Sequence, residues 1–379
     1  DSGTGNCLNL GRSTDSLGRY VETRDALNGR EYWDTHKSDL SDTKVLHLPT
    51  ATTPRTWHAV DMTQARSQLV SADTPGTYHC VQRCVRRAFL CGADRYSGQH
   101  FEHRKAWVEQ RLVLVAGCFA AAVHAYAVMS NHLHVVVHLD PGAPLTWTDS
   151  EVAERWVRLY PPRESSEAAR TAQIERLLAN PERLAVLRQR LGNLSWLMKC
   201  LAEPIARRAN VEDGCKGRFW EGRFKAQRLC DERAVLAAMV YVDLNPVRAG
   251  ITERLETSHR TSVATRLQSS SRERDARLRP VAGTLAMCLP IRTGEYLQLV
   301  AWTGRQAHPG KRGKLSEDAP EILKRWDASS ERWQRRVKAI GSGYWRVVGE
   351  VQDLKAWAER IGQRWLKGLG VAAALSRPA

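Results

Sequence analysis

Over Thr77–Val85 (TYHCVQRCV) the β-branched and aromatic content predicts a strand, and Arg104–Ala120 carries mostly helical spacing. His124–Met129 and His132–Leu139 are two strand-like runs separated by Ser130 and Asn131 alone, which predicts a tight antiparallel hairpin. A β-α-β-β order results. Pro141–Pro162 interrupts it, and Ala168–Leu191 resumes with a helical pattern rich in Leu, Arg and Glu. Along Asn193–Asn210 the apolar residues Leu194, Leu197, Met198, Leu201 and Ile205 fall on one helix face, with a kink expected at Pro204. Phe224–Cys230 predicts a short strand. Asp231 is placed to cap a helix running to about Asn245, where Pro246 discourages continuation. The sum is a sheet with helices on it, an α+β arrangement.

The flanks read differently. Asp1–Asp61 has no sustained periodicity and is dominated by Ser, Thr, Asp, Gly and Arg, which predicts disorder. The chain opens on Asp and its composition changes at Met62, so residues 1–61 are expected to be a disordered or non-native extension. Ser258–Arg279 is polar and basic, with Ser269, Ser270 and Ser271 in a row, and predicts a linker. The expected organisation is therefore a main domain over 62–257 with a helical insertion at 141–190, a linker over 258–280, and a separate helical region over 281–379. In that last region Trp326, Trp333, Trp345, Trp357 and Trp365 lie along charged helices and are expected mainly in its core.

Composition narrows the partner. The 379 residues are 42% hydrophobic, as in globular proteins, with a formal net charge of +16 and a pI near 9.7. That balance favours a polyanion, nucleic acid first, over an acidic small molecule; arginine-rich codon usage is the competing explanation. Nine cysteines at irregular spacings do not form a secreted disulfide framework, so a reducing, cytoplasmic setting is expected. The polar start has neither the charged nor the apolar region of a signal peptide. Leu112–Met129 is apolar, but Gly117 and His124 interrupt it and it divides into a helix end and a strand, so no membrane partner is expected.

Candidate chemistry lies on two of these elements. His132 and His134 alternate with Leu133, so both imidazoles leave one face of a strand, as a pair able to hold a divalent cation when oxygen ligands complete the site. A lone His-x-His pair is weak by itself; its place just after a tight turn strengthens it. His138 shares that face but lies too far along the strand, and reads as structural. On the helix from Asp231, Tyr241 and Asn245 stack one turn apart, above Ala234, Ala237 and Ala238. That alanine stripe would let the helix approach the sheet closely, with Tyr241 beside the metal and the Asn245 amide oxygen as third ligand. Taken alone, the pair reads as a core tyrosine and a helix-stop asparagine. Zinc is not expected at His79, Cys80, Cys84 and Cys91, because alternation puts Cys80 and Cys84 on the face opposite His79 and the spacing fits no compact knuckle.

Three runs in order, YAVMSNHLHVVVHLD, GRFWEGRFKAQ and YVDLNPVRAG, behind a YHCVQRCVRR strand, resemble the hallmark segments of the REP-associated tyrosine transposases. That family belongs to the single-tyrosine HUH superfamily. The resemblance spans about Tyr78–Gly250. It implies a ferredoxin-like antiparallel sheet with helices, a metal pair at His132 and His134, a nucleophile at Tyr241, and a third metal ligand at Asn245. The stretch Pro141–Arg190 is longer than in compact members of the family, and the region beyond the linker is not covered.

The resemblance further implies an enzyme dependent on Mg²⁺ or Mn²⁺ that acts on single-stranded or hairpin DNA through a 5′-phosphotyrosine. Arg83, Arg223 and Lys225 lie on the motif segments as candidate phosphate contacts, with general surface charge as the competing reading. Trp220 is a candidate for stacking an unpaired base, against a core role. The competing functions are a catalytically silent nucleic-acid-binding protein and another HUH class, a replication initiator or relaxase. Monomer and homodimer both stay open.

Overall fold

A computed structural model describes residues 69–71, 73–85, 90–92, 98–252, 254–307, 320–326, 328–341 and 346–376, all within the unit Thr63–Ala379. The extension expected up to residue 61 lies outside the described residues, as does Trp345.

The predicted opening order is present as β1 (Gly76–Arg83), α1 (Arg104–Ala116), β2 (Ala121–Val128) and β3 (His132–Leu139). The apolar stretch Leu112–Met129 is divided between α1 and β2, and among the described residues no helix is long and apolar enough to cross a membrane. Four helices follow: α2 (Asp149–Leu159), α3 (Glu167–Leu178), α4 (Pro181–Leu191) and α5 (Leu194–Glu212). Helix α2 occupies part of the segment expected to break the pattern, and starts at a capping box formed by Thr148 and Glu151. Helix α5 runs through Pro204, its Leu197, Leu201 and Ile205 buried in the core. Then come β4 (Lys225–Leu229), α6 (Glu232–Asp243) and the single turn α7 (Asn245–Arg248). As expected, Asp231 caps α6, accepting a hydrogen bond from the Ala234 N–H at 2.7 Å. Pro246 occupies the first turn of α7, where its missing N–H costs nothing.

The protein is α+β. Strands β4, β1, β3 and β2 lie side by side in that order, each antiparallel to its neighbour. Helices α1 and α5 pack on one face over an apolar core that includes Cys80, Val135 and Val137. Helix α6 packs on the other, over Ala125, Ala127 and Val136.

The segment beyond residue 258 departs from the linker expected there. It contains α8 (Ser262–Leu267), α9 (Ser271–Asp275), β5 (Arg277–Leu278), β6 (Ala282–Gly283), β7 (Leu289–Arg292) and α10 (Thr293–Ala307). Its polar residues are buried because they serve the edge of β2: the Ser262 hydroxyl accepts from the Tyr126 N–H at 3.0 Å, and Arg266 donates to the His124 carbonyl at 2.6 Å. The centre of this docking is Asp243 at the end of α6, fully buried, accepting from Ser262 Oγ and from the Tyr296 hydroxyl (2.5 Å), with Arg266 at 3.9 Å.

The last elements are α11 (Glu321–Arg325), α12 (Ser330–Ile340), β8 (Val347–Val348), α13 (Val351–Arg360) and α14 (Leu369–Ser376). They do not form the separate region expected. Strand β8 joins the sheet parallel to β4, and β6 joins it at the other edge beside β2, giving six strands among the described residues. Trp333 and Trp357 are buried and Trp326 half-buried, as a core role requires; Trp365 is exposed.

Two outcomes are expected. Removing the Asp243 carboxylate leaves the Arg266 guanidinium buried without its counter-charge, so Asp243→Ala should lower unfolding stability in urea by about 3–5 kcal/mol; a loss within about 0.5 kcal/mol, as at an exposed position, would show that this docking does not hold the fold. The second concerns His124, which sits in a β-bulge of β2 with neither ring nitrogen partnered among the described residues. Burial, then Arg266 and His138, push its pKa down to about 3. An unfolded imidazole takes up its proton near pH 6.5, so the stability from keeping it neutral is complete above that value and is lost as pH falls toward about 3. Between about pH 7 and about pH 4.5, wild type should lose on the order of 2 kcal/mol more stability than His124→Leu; parallel losses in denaturant titrations would contradict this.

Candidate active site

Register assembles the site. In β1, Thr77, His79, Val81 and Arg83 stand directly opposite His138, Val136, His134 and His132 of β3. From the other side, Leu229, Gln227 and Lys225 of β4 stand opposite Thr77, His79 and Val81. Directly paired residues share a face, so His79, His132, His134 and His138, with Gln227, Arg83 and Lys225, all lie on the face toward α6.

Helix α6 lies close on that face because Ala234, Ala237 and Ala238 have no bulk to hold it off. Tyr241 follows one turn later, half-buried, with its ring edge-on to His134 at 5.7 Å and to His79 at 5.9 Å between centroids. Asn245 lies one further turn on. Its Nδ2–H donates to His134 Nε2 at 3.0 Å. The His79 and His134 rings are near-parallel and meet edge to edge, with centroids 5.1 Å apart and an interplanar angle of 11°. His79 Nε2 is 2.9 Å from His134 Nδ1, and its Nδ1–H donates to Gln227 Oε1 at 2.7 Å. His132 is edge-on to His134 at 4.7 Å, its Nδ1–H donating to Asn131 Oδ1 at 2.6 Å.

Burial sets the electrostatics. It pushes the pKa of His79 down to about 4, that of His132 to about 4 with Arg83 adding to the effect, and that of His134 well below the usual imidazole value. The three rings are therefore neutral at physiological pH, the state a metal ligand needs. Burial also raises the Tyr241 phenol above its ordinary value, opposed by the Arg248 guanidinium, which stands 5.4 Å from the ring centre, and by the neighbouring Asn245 amide.

The donor set fits a divalent cation. With Nδ1 engaged by Asn131, His132 keeps Nε2 for a ligand role. A half-turn of the Asn245 amide exchanges Nδ2 for Oδ1 in place, and the 3.0 Å between that atom and His134 Nε2 equals the spacing of adjacent ligands about 2.1 Å from an octahedral ion. Among the described residues no three His, Cys, Asp or Glu side chains converge as ligands. Two imidazoles and one amide oxygen are thus the set available, leaving the remaining positions to water or phosphate oxygens.

The other anticipated residues are scattered. Arg83 and Lys225 are exposed at the strand ends on the α6 side, and Arg223 is exposed just before β4. Trp220 is on the far face: it bridges to Cys84, its indole N–H donates to the Ala202 carbonyl at 2.8 Å, and its ring packs against Phe219 and the α1/α5 core. That is the core role rather than a stacking platform beside Tyr241. His138 is tied to Thr77 Oγ1 at 3.0 Å, and Cys80, Cys84 and Cys91 are buried in the opposite core from His79. His79, Gln227 and Arg248 were not anticipated. Parity along β1 puts His79 on the face of Arg83, and Arg248 ends the YVDLNPVRAG run, so both had a faint signal.

Comparison with protein-family models and with curated proteins finds no match. Among solved structures the chain is similar to one described as the structure of a REP-associated tyrosine transposase bound to a REP hairpin. The identity is 12% and the TM-score 0.27, over 51% of this chain and 79% of that one. So loose a likeness carries no argument about fold or function.

Proposed function

We propose that this chain is a metal-dependent endonuclease and strand transferase for single-stranded or hairpin DNA, with a ferredoxin-like catalytic core and Tyr241 as nucleophile. One observation carries the reading: Asn245 donates to His134 Nε2 at 3.0 Å while the Tyr241 ring stands edge-on to the same imidazole at 5.7 Å, with His132 adjacent. A core tyrosine has no need of such surroundings. The β4-β1-β3-β2 antiparallel order, the +16 charge and the three motif runs support the same reading.

His132, His134 and Asn245 would hold a Mg²⁺ or Mn²⁺ ion, which when bound polarises the non-bridging oxygens of a phosphodiester. Arg83 and Lys225, exposed on the same face, orient the strand through its phosphates. The Tyr241 oxygen attacks phosphorus in line. A phosphorus–phenol oxygen bond forms, the bond to the 3′-oxygen breaks, and the phenolic proton is balanced by protonation of the departing 3′-hydroxyl. Because burial holds the phenol protonated, Arg248 beside the ring offsets negative charge as it develops on the oxygen. The 5′-phosphotyrosine conserves the bond energy, and a 3′-hydroxyl can reverse the step to join strands.

With Mn²⁺ and a labelled hairpin bearing a single-stranded 5′ extension, wild type should form a covalent adduct with the 5′-phosphate end created by the cut. Tyr241→Phe and His132→Ala should form none, while their hairpin affinity stays within about threefold, since phosphate contacts elsewhere carry binding. Undiminished adduct from Tyr241→Phe would remove it as nucleophile; hairpin binding by wild type with no adduct would favour the silent-binder reading. Substrate form is a further test. Because Tyr241 is half-buried between α6 and the sheet, only an unpaired strand is expected to bring its phosphate to the phenol, so annealing a complement to the extension should abolish cleavage, whereas hairpin binding should weaken steeply with salt. Equal cleavage rates on both substrates would contradict the single-strand mechanism.

A further inference from the structure

The buried polar chain behind His134 has a direction. Gln227 presents its carbonyl Oε1 to His79 Nδ1 at 2.7 Å, so that nitrogen carries the hydrogen. A neutral imidazole has one N–H, which leaves His79 Nε2 bare and able only to accept. Its neighbour at 2.9 Å is His134 Nδ1, which must then be the donor. His134, neutral in its turn, is left with a bare Nε2 facing α6, where the Asn245 Nδ2–H donates to it at 3.0 Å. With the Gln227 carbonyl turned to His79, each link forces the next. His79 and His134 are both buried, so no solvent proton relaxes the order.

We propose that Gln227 and His79 are positioning residues that set the tautomer of His134, holding its hydrogen on Nδ1 and its Nε2 lone pair toward Tyr241 and Asn245. The opposite tautomer would aim an N–H into the cleft, and an N–H cannot ligate a cation. The strand pairing enforces the arrangement: Gln227 is the residue of β4 directly opposite His79, and His79 in β1 is diagonal to His134 in β3. The purpose assigned to this device rests on the proposed metal role of His134; the tautomer itself does not.

Nitrogen NMR of metal-free, histidine-labelled protein at neutral pH reads the tautomers directly, the His134 signals being identified by their loss in His134→Gln. Wild type should show His134 protonated at Nδ1 and bare at Nε2. Gln227→Met, which fills the space without an acceptor, should give a mixture of both tautomers and weaken Mn²⁺ binding by calorimetry roughly 10- to 100-fold. His79→Phe should weaken Mn²⁺ binding to a similar extent, with circular dichroism checking that both variants fold. His134 protonated at Nε2 in wild type, or an unchanged His134 tautomer in Gln227→Met, would overturn the proposal. These readings are independent of DNA cleavage. The expected tautomer without any DNA adduct sustains the positioning role while removing the function proposed above, and adduct formation with the reverse tautomer does the opposite.

Discussion

The close approach of α6 to the sheet is the constraint on which the rest of the molecule depends. Ala234, Ala237 and Ala238 on the helix, with Ala125 and Ala127 in the core beneath it, allow the backbones to near each other as larger side chains would not. Only at that spacing can a half-buried tyrosine one turn further along bring its ring within 6 Å of two strand histidines. Burial on this scale costs hydration for every polar group caught in the interface. Those at the site are therefore partnered: His79 with Gln227 and His134, His134 with Asn245, and Asp243 with Ser262 and Tyr296.

The segments after residue 258 follow from the same constraint. A helix resting on one face of a sheet still exposes its outer side, and the outer side of α6 is apolar through Val235, Met239, Val240 and Val242. Helices α8, α10 and α12 contribute to the core around it. Asp231 and Asp243 bracket α6. The first caps it and also accepts from the Glu350 N–H at 3.0 Å, tying the start of α13 to the start of α6. The second ties its end to α8 and α10. Gly341, just beyond α12, stands where a Cβ would come within 2.8 Å of the Tyr241 ring, so the C-terminal segment forms the wall behind the phenol. These elements are part of the apparatus that orients Tyr241.

Neutrality is the electrostatic counterpart of that packing. Three imidazoles in one buried cluster would repel if charged, and desolvation alone already favours their neutral forms. The positive charge sits at the rim instead, on Arg83, Lys225 and Arg248, each exposed to solvent. A polyanion would thus meet charge first and neutral imidazoles beneath it.

By itself the sequence determined whatever depends on neighbours along the chain. The hairpin joined at Ser130 and Asn131, the pairing of His132 with His134 on one face, the Asp231 cap and the stacking of Tyr241 over Asn245 all follow from periods of two and 3.6, which are local properties of strand and helix. Tertiary structure decided which faces meet. Gln227 reaches His79 through strand pairing across 148 residues, and no local pattern encodes that register. The polar, serine-rich stretch from Ser258 reads as a solvated linker because polarity is the local signal. It is folded because Ser262 and Arg266 find hydrogen-bond partners on β2 and α6 that exist only once the sheet has formed. Trp220 was ambiguous for the same reason: an indole suits a base or a core equally well, and the Ala202 carbonyl that claims its N–H is known only from the packing of α5 against the sheet.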